Sequence, residues 1–356
     1  MPSLHVTGVV LPDPEPRDLW IVDGRISHTP VAGATTVAKG WVVPGLVDAH
    51  CHIGVDAGGA VDEATQEQQA LTDRDAGVLL ARDCGVPSDT RWIDQRVDLP
   101  RIVRAGRHIA VSKRYVRNYA VEVQPDELVA TVVDQAGRGD GWVKIVGDWI
   151  DRDSGDLAPC WPADVLRDAV AAAHAHGARV TTHVFGEDAL PDLLAAGMDC
   201  IEHGTGLSGE QLTWMAEHQV ALVPTVINIE TFPSIAAQAT RFPAYADHMR
   251  ALHRRVNDVV ATAYEAGVPI YAGTDAGGSL AHGRIADEVA ALAGAGLAAL
   301  DALASASWRA REWLGFSHRL EDGDDADLVV YDEDPSLDPK VLDHPARIIL
   351  RGEVVA

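Results

Sequence analysis

Short apolar runs alternate with segments of helical periodicity over most of the chain. Between residues 46 and 318 helical segments such as PADVLRDAVAAAHAHG and PAYADHMRALHRRVNDVVATAYEAG separate several of these runs. Apolar strands separated by helices indicate a parallel sheet that is covered on both faces. Eight such units over about 250 residues favour a (β/α)8 TIM barrel over an open doubly wound sheet. The eight runs are GLVDAHCHI, GVLLARDCG, RIVRAGRHIAV, GWVKIVGD, ARVTTHVFG, MDCIEHG, VALVPTVIN and VPIYAGTDAGG.

The two ends of the chain have a different pattern, with short β-type runs separated by Gly, Pro and Asp. The first end contains LHVTGVVL, LWIVDGRI and TTVAKGWVV, and the last contains DADLVVYD and ARIILRGEVVA. Neither end has a partner nearby in sequence, so we expect the two ends to pair with each other. The predicted architecture is therefore an α/β protein in which residues 46–318 form the catalytic barrel. Residues 1–45 and 319–356 would form a small composite β-sandwich domain beside it.

Composition narrows the possible partners. The 356 residues carry a formal charge of −24, which argues against nucleic acid or an anionic membrane surface as a partner. No apolar run is long enough to span a bilayer, and the first residues lack the basic and apolar regions of a signal peptide. The four cysteines lack CxxC spacing, so we expect reduced thiols in a cytoplasmic protein.

Polar residues collect where the predicted strands end, which is where barrel enzymes carry their catalytic groups. Because residues i and i+2 of a strand share a face, His50 and His52 should point into the barrel together, and Lys144 should point inward as well. Neutral imidazoles and carboxylates are ligands that Zn²⁺ and similar ions prefer. The set comprises His50, His52, Lys144, His183, His203 and Asp275.

Lys144 is an unusual choice of residue for an apolar strand. The chain contains only four lysines among its 29 basic residues and uses arginine for nearly every other positive charge. Burial in apolar surroundings favours the neutral amine, which can react with CO₂ to form an anionic carbamate. Arginine cannot do so, because its guanidinium stays protonated. We therefore expect a chemical role for Lys144 beyond its charge.

A second His-x-His pattern serves as an internal comparison. His174 and His176 end a predicted helix, where positions i and i+2 do not share a face. We expect these imidazoles to interact with the helix C-terminus and to bind no metal.

The motifs together resemble the amidohydrolase superfamily. They are PGLVDAHCH, the isolated Lys144, TTHVFG, IEHG and GTDAG, and AHGRIADEVAALAGAGLAALDALASAS is similar to the imidazolonepropionase-like and prolidase-like branch. The resemblance implies two divalent metal ions, with zinc expected, bridged by a carbamate on Lys144. It implies that His50, His52 and Asp275 hold one ion and that His183 and His203 hold the other. A hydroxide shared by the ions would attack an amide-type bond, Asp275 would transfer the proton, and His203 would assist at the carbonyl.

Several alternatives remain open from the sequence. A mononuclear deaminase of this fold usually has HxxE after the fifth strand, whereas here Glu187 comes one position late and is expected in the first turn of the next helix. A lactone hydrolase would suit the same metals, and a non-enzymatic relative would lack the ligands. The substrate is expected to be a small molecule, and a homo-oligomer is possible. Candidate substrate-binding residues are Arg114, Tyr115, Asn228 and His282, with Arg117 and Tyr119 in the same loop as the first two.

Overall fold

The structure, a computed structural model, describes residues 3–356 and shows a mixed α/β protein. The first strands are β1 Leu4–Val10, β2 Glu15–Val22, β3 Arg25–Ser27, β4 Thr35–Pro44, β5 Leu46–Cys51, β6 Val55–Asp56, β7 Gly59–Ala60, β8 Val78–Asp83, β9 Arg101–Arg104 and β10 Ile109–Val111. The others are β11 Val121–Val123, β12 Trp142–Val146, β13 Asp148–Asp151, β14 Asp156–Pro159, β15 Arg179–Val184, β16 Cys200–His203, β17 Ala221–Val223, β18 Leu328–Tyr331, β19 Arg347–Leu350 and β20 Glu353–Val354.

Helices follow most of the inner strands. They are α1 Glu63–Asp75, α2 Leu128–Arg138, α3 Ala163–Ala175, α4 Leu190–Ala196, α5 Gly209–His218, α6 Val226–Ile229, α7 Phe232–Gln238, α8 Pro243–Ala266, α9 Ile285–Gly294, α10 Ala299–Ser305 and α11 Trp308–Leu314. Short 3-10 helices cover Arg91–Gln95, Pro125–Glu127 and Pro339–Asp343. No helix of the described part is both long and apolar enough to cross a membrane.

Both chain ends contribute to one sheet of seven strands, in the order β20-β19-β18-β4-β1-β2-β3. The connection between the ends is the antiparallel pairing of β4 with β18, in which Val43 faces Val329. Val6, Leu19, Val42, Leu328 and Ile349 pack on one side of this sheet as a separate apolar cluster. The expected pairing of the two ends is therefore present.

The inner strands form two parallel groups. One has the order β5-β8-β9 and the other β11-β10-β12-β15-β16-β17. Isolated parallel bridges link Leu222 with Ile270 and Cys51 with Ala276, so the segment around residues 270–276 lies between β17 and β5. The carboxyl ends of these parallel strands therefore come together at one edge.

Three of the eight predicted strands differ from the structure. In the run VALVPTVIN only Ala221–Val223 is a strand, and α6 begins at Val226. The run RIVRAGRHIAV divides into β9 and β10, because Gly106 between them has a left-handed φ of 71° and the next amide is bound by the Gln135 side chain at 2.8 Å. The run VPIYAGTDAGG makes only isolated bridges. Parts of these last two sequences are extended, but a glycine kink in RIVRAGRHIAV and the irregular pairing of VPIYAGTDAGG interrupt the ladder.

Helix α3 shows how the sequence pattern places the helices. Its buried residues Leu166, Ala169, Val170 and Ala173 recur at spacings of three and four, so they form one face. These residues pack in the large core that also contains Val143 and Ile145 of β12. Trp142, by contrast, packs in a different cluster with Val47 and Leu80. The alternation along β12 therefore sends Val143 and Ile145 to the helices and Trp142 to the opposite face, and Lys144 shares the parity of Trp142.

Candidate metal centre

His50 and His52 lie at the end of β5 and face the same space, as their strand spacing predicts. Their Nε2 atoms are 3.3 Å apart. Asp275 approaches from the other end of the sequence, and its Oδ1 lies 3.2 Å from Nε2 of His50 and 3.1 Å from Nε2 of His52. These three residues offer ligand atoms that all lie within 4.8 Å of one another. The group therefore fits one divalent cation in its donor types and spacing.

The outer nitrogens of both histidines are held by acceptors. Nδ1 of His52 donates to the carbonyl oxygen of Gly85 at 3.0 Å, and Nδ1 of His50 contacts Oε2 of Glu202 at 2.7 Å. Such partners fix the tautomer, so that Nε2 presents its lone pair to a metal. Both rings are thus oriented as ligands before any ion binds.

Glu202 is a buried carboxylate that the sequence interpretation missed. It accepts hydrogen bonds from Arg82 Nη2 at 2.6 Å and from the Thr181 hydroxyl. Burial opposes ionisation of Glu202, but Arg82 and His50 lower the pKa of its carboxyl well below the usual value. The signal in the sequence was a pair of opposite charges, Arg82 in β8 and Glu202 in β16, within mainly apolar runs.

His183 and His203 form a second pair beside the first group. Their ring centroids are 4.8 Å apart, and the ring of His203 lies 5.2 Å from that of His50. Nδ1 of His203 contacts the hydroxyl of Thr225 at 2.7 Å. Burial lowers the pKa of His203 to about 3 and that of His183 well below its usual value, so both rings are neutral. Neutral imidazoles are the form that binds metals.

An unpartnered atom supports a ligand role for His183. Its Nε2 is buried and has no hydrogen-bond partner among the described residues. An unsatisfied buried polar atom costs about 1–3 kcal/mol, so native proteins rarely keep one without a reason. A bound cation would satisfy this nitrogen.

His203 and Asp275 enter the site through unusual backbone conformations. Their φ angles are 65° and 58°, in the left-handed region that non-glycine residues seldom adopt. Thr225, which contacts His203, has φ 47°. Strain of this kind concentrates at functional sites. Strand alternation alone would not have predicted where these side chains point.

Lys144 lies in the middle of β12 and is only 2% exposed. In the pairing of β12 with β15 it faces Thr181, while Val146 faces His183. Lys144 lies near both histidines of the second pair, since it is among the groups that influence the pKa of His183 and of His203. Lys144 therefore shares the interior with the candidate ligands.

The four candidate substrate-binding residues have different surroundings. Asn228 donates from Nδ2 to Oδ2 of Asp275 at 2.7 Å. The ring of Tyr115 lies 5.7 Å from that of His183 and 4.7 Å from that of Trp149. These two residues adjoin the candidate ligands, and the other two are held elsewhere.

Arg114 and His282 are engaged by the protein itself. The guanidinium of Arg114 donates to the carbonyl oxygens of Trp149, Ala158 and Pro159 at 2.8–2.9 Å, so it secures the β13–β14 hairpin. Nδ1 of His282 pairs with Oδ2 of buried Asp73 at 2.8 Å. A direct substrate contact by either residue stays a prediction, and in this arrangement Arg114 does not present a free carboxylate clamp.

His174, His176 and Glu187 are held by other residues outside the candidate metal centre. Nε2 of His174 pairs with Asp199 at 2.8 Å, and Nδ1 of His176 contacts the carbonyl of Ala172 at the end of α3. Glu187 lies three residues before α4, not in its first turn, and pairs with His248 and Arg255 at 2.9 Å. The expected helix position of Glu187 was wrong, because α4 begins only at Leu190.

Comparison with known proteins gives the family of the chain. Residues 41–355 match the Amidohydrolase family. An uncharacterized protein of Mycobacterium tuberculosis is 59% identical over 351 residues, which cover 98% of this chain and 95% of that protein. A Xaa-Pro dipeptidase structure has a TM-score of 0.85 at 24% identity and covers 99% of both chains. A putative prolidase from Bifidobacterium longum has a TM-score of 0.85 at 23% identity, covering 99% of this chain and 94% of that one. At such identities the likeness to these structures shows a shared fold, and the match over residues 41–355 carries the assignment: the chain belongs to the amidohydrolase family.

Proposed function

We propose that this protein is a metal-dependent hydrolase that cleaves an amide-type bond in a small molecule. The observation that carries the proposal is the convergence of His50, His52 and Asp275 within 4.8 Å of one another, next to the neutral pair His183 and His203. These donors come from distant parts of the sequence. A peptide end, an N-acyl amino acid or a cyclic amide is the expected substrate.

Two divalent ions, zinc in our proposal, would be held by the two groups of ligands. His50, His52 and Asp275 would bind the first, and His183 and His203 the second. Bound divalent ions polarise a carbonyl group and promote ionisation of water at neutral pH. The orphaned Nε2 of His183 and the preset tautomers of His50 and His52 support this assignment.

Lys144 would bind both ions as a carbamate. The unprotonated form of its Nζ would add to CO₂, forming one N–C bond and releasing one proton, which leaves a carbamate whose single negative charge is shared by two ligand oxygens. The burial of Lys144 and its inward position on β12 support this role. An arginine at this position could not take part in the addition.

Asp275 is suited to move a proton during the reaction. Its Oδ1 faces His50 and His52, while its Oδ2 accepts the amide of Asn228. Asp275 would accept a proton as the carbonyl is attacked and deliver it to the leaving nitrogen. Asn228 would hold the carboxylate in the orientation that both transfers need. His203 would assist at the carbonyl in addition to its ligand role.

The inner strands and the sheet built from both chain ends support a two-part fold. We infer that the parallel inner strands close into a (β/α)8 barrel over residues 46–318, with a β-sandwich domain built from residues 1–45 and 319–356. The bridges Leu222–Ile270 and Cys51–Ala276 support closure between the last strands and the first. The seven-stranded sheet built from both chain ends supports the flanking domain.

The deaminase alternative receives less support. The acid that would follow the fifth-strand histidine is Glu187, which pairs with His248 and Arg255 at the surface. We therefore favour hydrolysis with two ions over deamination with one.

The test combines metal analysis with a substrate panel. The full-length protein, prepared with zinc and bicarbonate, should contain about two divalent ions per chain and should hydrolyse members of a panel of dipeptides, N-acyl amino acids, cyclic imides and lactones. Fold neighbours include a Xaa-Pro dipeptidase and a putative prolidase, so the panel should include prolyl dipeptides.

The chain offers a matched control. The double variant His50→Ala/His52→Ala should lose metal and activity, whereas His174→Ala/His176→Ala has the same spacing on a helix and should keep both. Absence of bound divalent ions together with absence of hydrolysis would refute the proposal. Ammonia release with one ion per chain would favour the deaminase. Cleavage of lactones alone would show that the protein cleaves an ester bond and not an amide bond.

A further inference from the structure

Two imidazoles share one backbone acceptor at the edge of the candidate metal centre. The carbonyl oxygen of Gly85 lies 3.0 Å from Nδ1 of His52 and 2.8 Å from Nδ1 of His108. A carbonyl oxygen can only accept, so both Nδ1 atoms carry the proton and both Nε2 atoms present lone pairs. Gly85 has φ 103°, and a Cβ there would lie 2.6 Å from the backbone nitrogen of His108. Only glycine allows this close arrangement.

The Nε2 atoms of His52 and His108 have different surroundings. Nε2 of His52 lies 3.1 Å from Asp275, inside the candidate metal centre. Nε2 of His108 is buried and has no hydrogen-bond partner among the described residues, and the whole residue is 1% exposed. A charged imidazolium buried without a carboxylate partner would be expensive, so His108 is neutral and this nitrogen is an unused acceptor. A buried acceptor without a hydrogen-bond donor destabilises the protein.

His108 lies between a candidate ligand and a group of aromatic rings. Its ring centroid is 6.0 Å from that of His52 and 5.0 Å from that of Tyr115. The ring centroid of Tyr115 lies 4.7 Å from that of Trp149 and 5.7 Å from that of His183. We call Tyr115 and Trp149 the aromatic wall. The unused acceptor of His108 therefore lies between the candidate metal centre and the aromatic wall.

We propose that His108 is a substrate-binding residue whose Nε2 accepts a hydrogen bond from an N–H group of the substrate, while a flat apolar group of that substrate packs on the aromatic wall. This assignment rests on the proposed function, because it takes the metal centre as the place of reaction. Among the proposed amide-type substrates, the class is then one that carries an N–H donor and a planar apolar substituent.

Benzamide and acetophenone form a probe pair that isolates the donor. They have the same ring and carbonyl group and nearly the same size, and only benzamide carries N–H groups. Their affinities for the metal-loaded full-length protein are measured by calorimetry, in the wild type and in His108→Asn. The asparagine amide can still donate to the Gly85 carbonyl, but it lacks an acceptor in the position of Nε2. Comparing the two proteins cancels the different hydration of the two probes.

The expected result is a benzamide-to-acetophenone affinity ratio about fivefold lower in His108→Asn than in the wild type. Bound metal should be unchanged, and His174→Ala should keep the wild-type ratio. The proposal is overturned if His108→Asn keeps the ratio, if the wild type binds neither probe, or if the variant loses metal, which would make His108 a ligand. If the ratio falls as expected while no compound of the hydrolysis panel is cleaved, the binding role of His108 stands and the proposed function fails.

Discussion

At the scale of single residues, strand geometry predicts the position of Lys144. The alternation along β12 predicts its inward position, and the structure buries it in the same interior as the candidate ligands. The same alternation correctly places His50 and His52 on one face. It does not apply to His203 and Asp275, whose left-handed φ angles turn their side chains out of the strand pattern. Their position in the site depends on the local backbone.

Lys144→Arg is predicted to be as damaging as Lys144→Ala. Both changes remove the amine that can form a carbamate, so each should lower kcat/KM by at least about 100-fold and remove one metal ion per chain. Metal analysis and steady-state kinetics on the hydrolysed compound measure both effects. Small carboxylates such as acetate should partly restore Lys144→Ala. The control is Lys39→Arg, which changes an exposed residue of β4 and should change neither quantity. Retained activity in Lys144→Arg would show that a positive charge is sufficient.

At the scale of elements, the turn after β17 connects two candidate catalytic residues to one buried acid. The carboxylate of Glu288 in α9 lies 2.9 Å from the backbone amides of Val226 and Ile227 at the start of α6. The same turn supplies Thr225, which contacts His203, and Asn228, which donates to Asp275. Glu288 therefore positions the turn without contacting either residue itself. The helical pattern predicts α9 but not this contact, because it joins residues about 60 positions apart.

Glu288→Ala is predicted to lower kcat more than it raises KM, with both metal ions retained. The change leaves two buried amides without an acceptor, so the turn should lose its fixed position and stability should fall by about 1–3 kcal/mol. Glutamine at this position keeps one acceptor oxygen, but its NH₂ group faces the second backbone amide and cannot accept from it. Glu288→Gln should therefore restore only part of kcat.

The adjacent Asp287 serves as the control for this experiment. It is exposed and pairs with Arg284, so Asp287→Asn should leave kcat, KM and stability unchanged. An equal loss of kcat in Glu288→Ala and Glu288→Gln would contradict the positioning role, as would a loss of metal in both.

At the scale of the whole molecule, Asp327 joins the seven-stranded sheet to the inner strands and helices. It precedes β18, is fully buried, and accepts the amide of Arg351 at 2.7 Å. Its other oxygen lies 3.3 Å from Arg311 of α11 and 3.3 Å from Arg101 of β9. One carboxylate thus connects three parts of the chain that are far apart in sequence. Breaking a buried ion pair by changing one partner leaves the other charge uncompensated.

Asp327→Asn is predicted to lower the free energy of unfolding by about 2–4 kcal/mol, because the buried guanidinium of Arg311 loses its counter-ion. Urea denaturation of the full chain measures the change. Asp134→Asn breaks an exposed pair with Arg138 within α2 and should produce no measurable change. Equal stability of the two variants would show that Asp327 does not connect the parts energetically.

The pattern of the sequence by itself determined the alternation of strands and helices, the pairing of the two chain ends and the shared face of His50 and His52. The alternation and the shared face follow from short periods, since a strand repeats every two residues and a helix every 3.6. The pairing of the ends was expected because neither end has a partner nearby in sequence. The sequence pattern also separated the helical pair His174 and His176 from the strand pair with the same spacing.

Only the tertiary structure decided which distant groups meet. It brings Asp275 to 3.1 Å from His52 across 223 positions and places Glu202 in contact with Nδ1 of His50. It also leaves Nε2 of His108 without a hydrogen-bond partner and directs the Arg114 guanidinium to backbone carbonyls. These contacts depend on strand neighbours and on single left-handed residues, and neither leaves a periodic signal in the sequence. The candidate ligands could be predicted because their chemistry is distinctive at strand ends, whereas the groups that orient them are ordinary polar residues whose roles depend on what surrounds them.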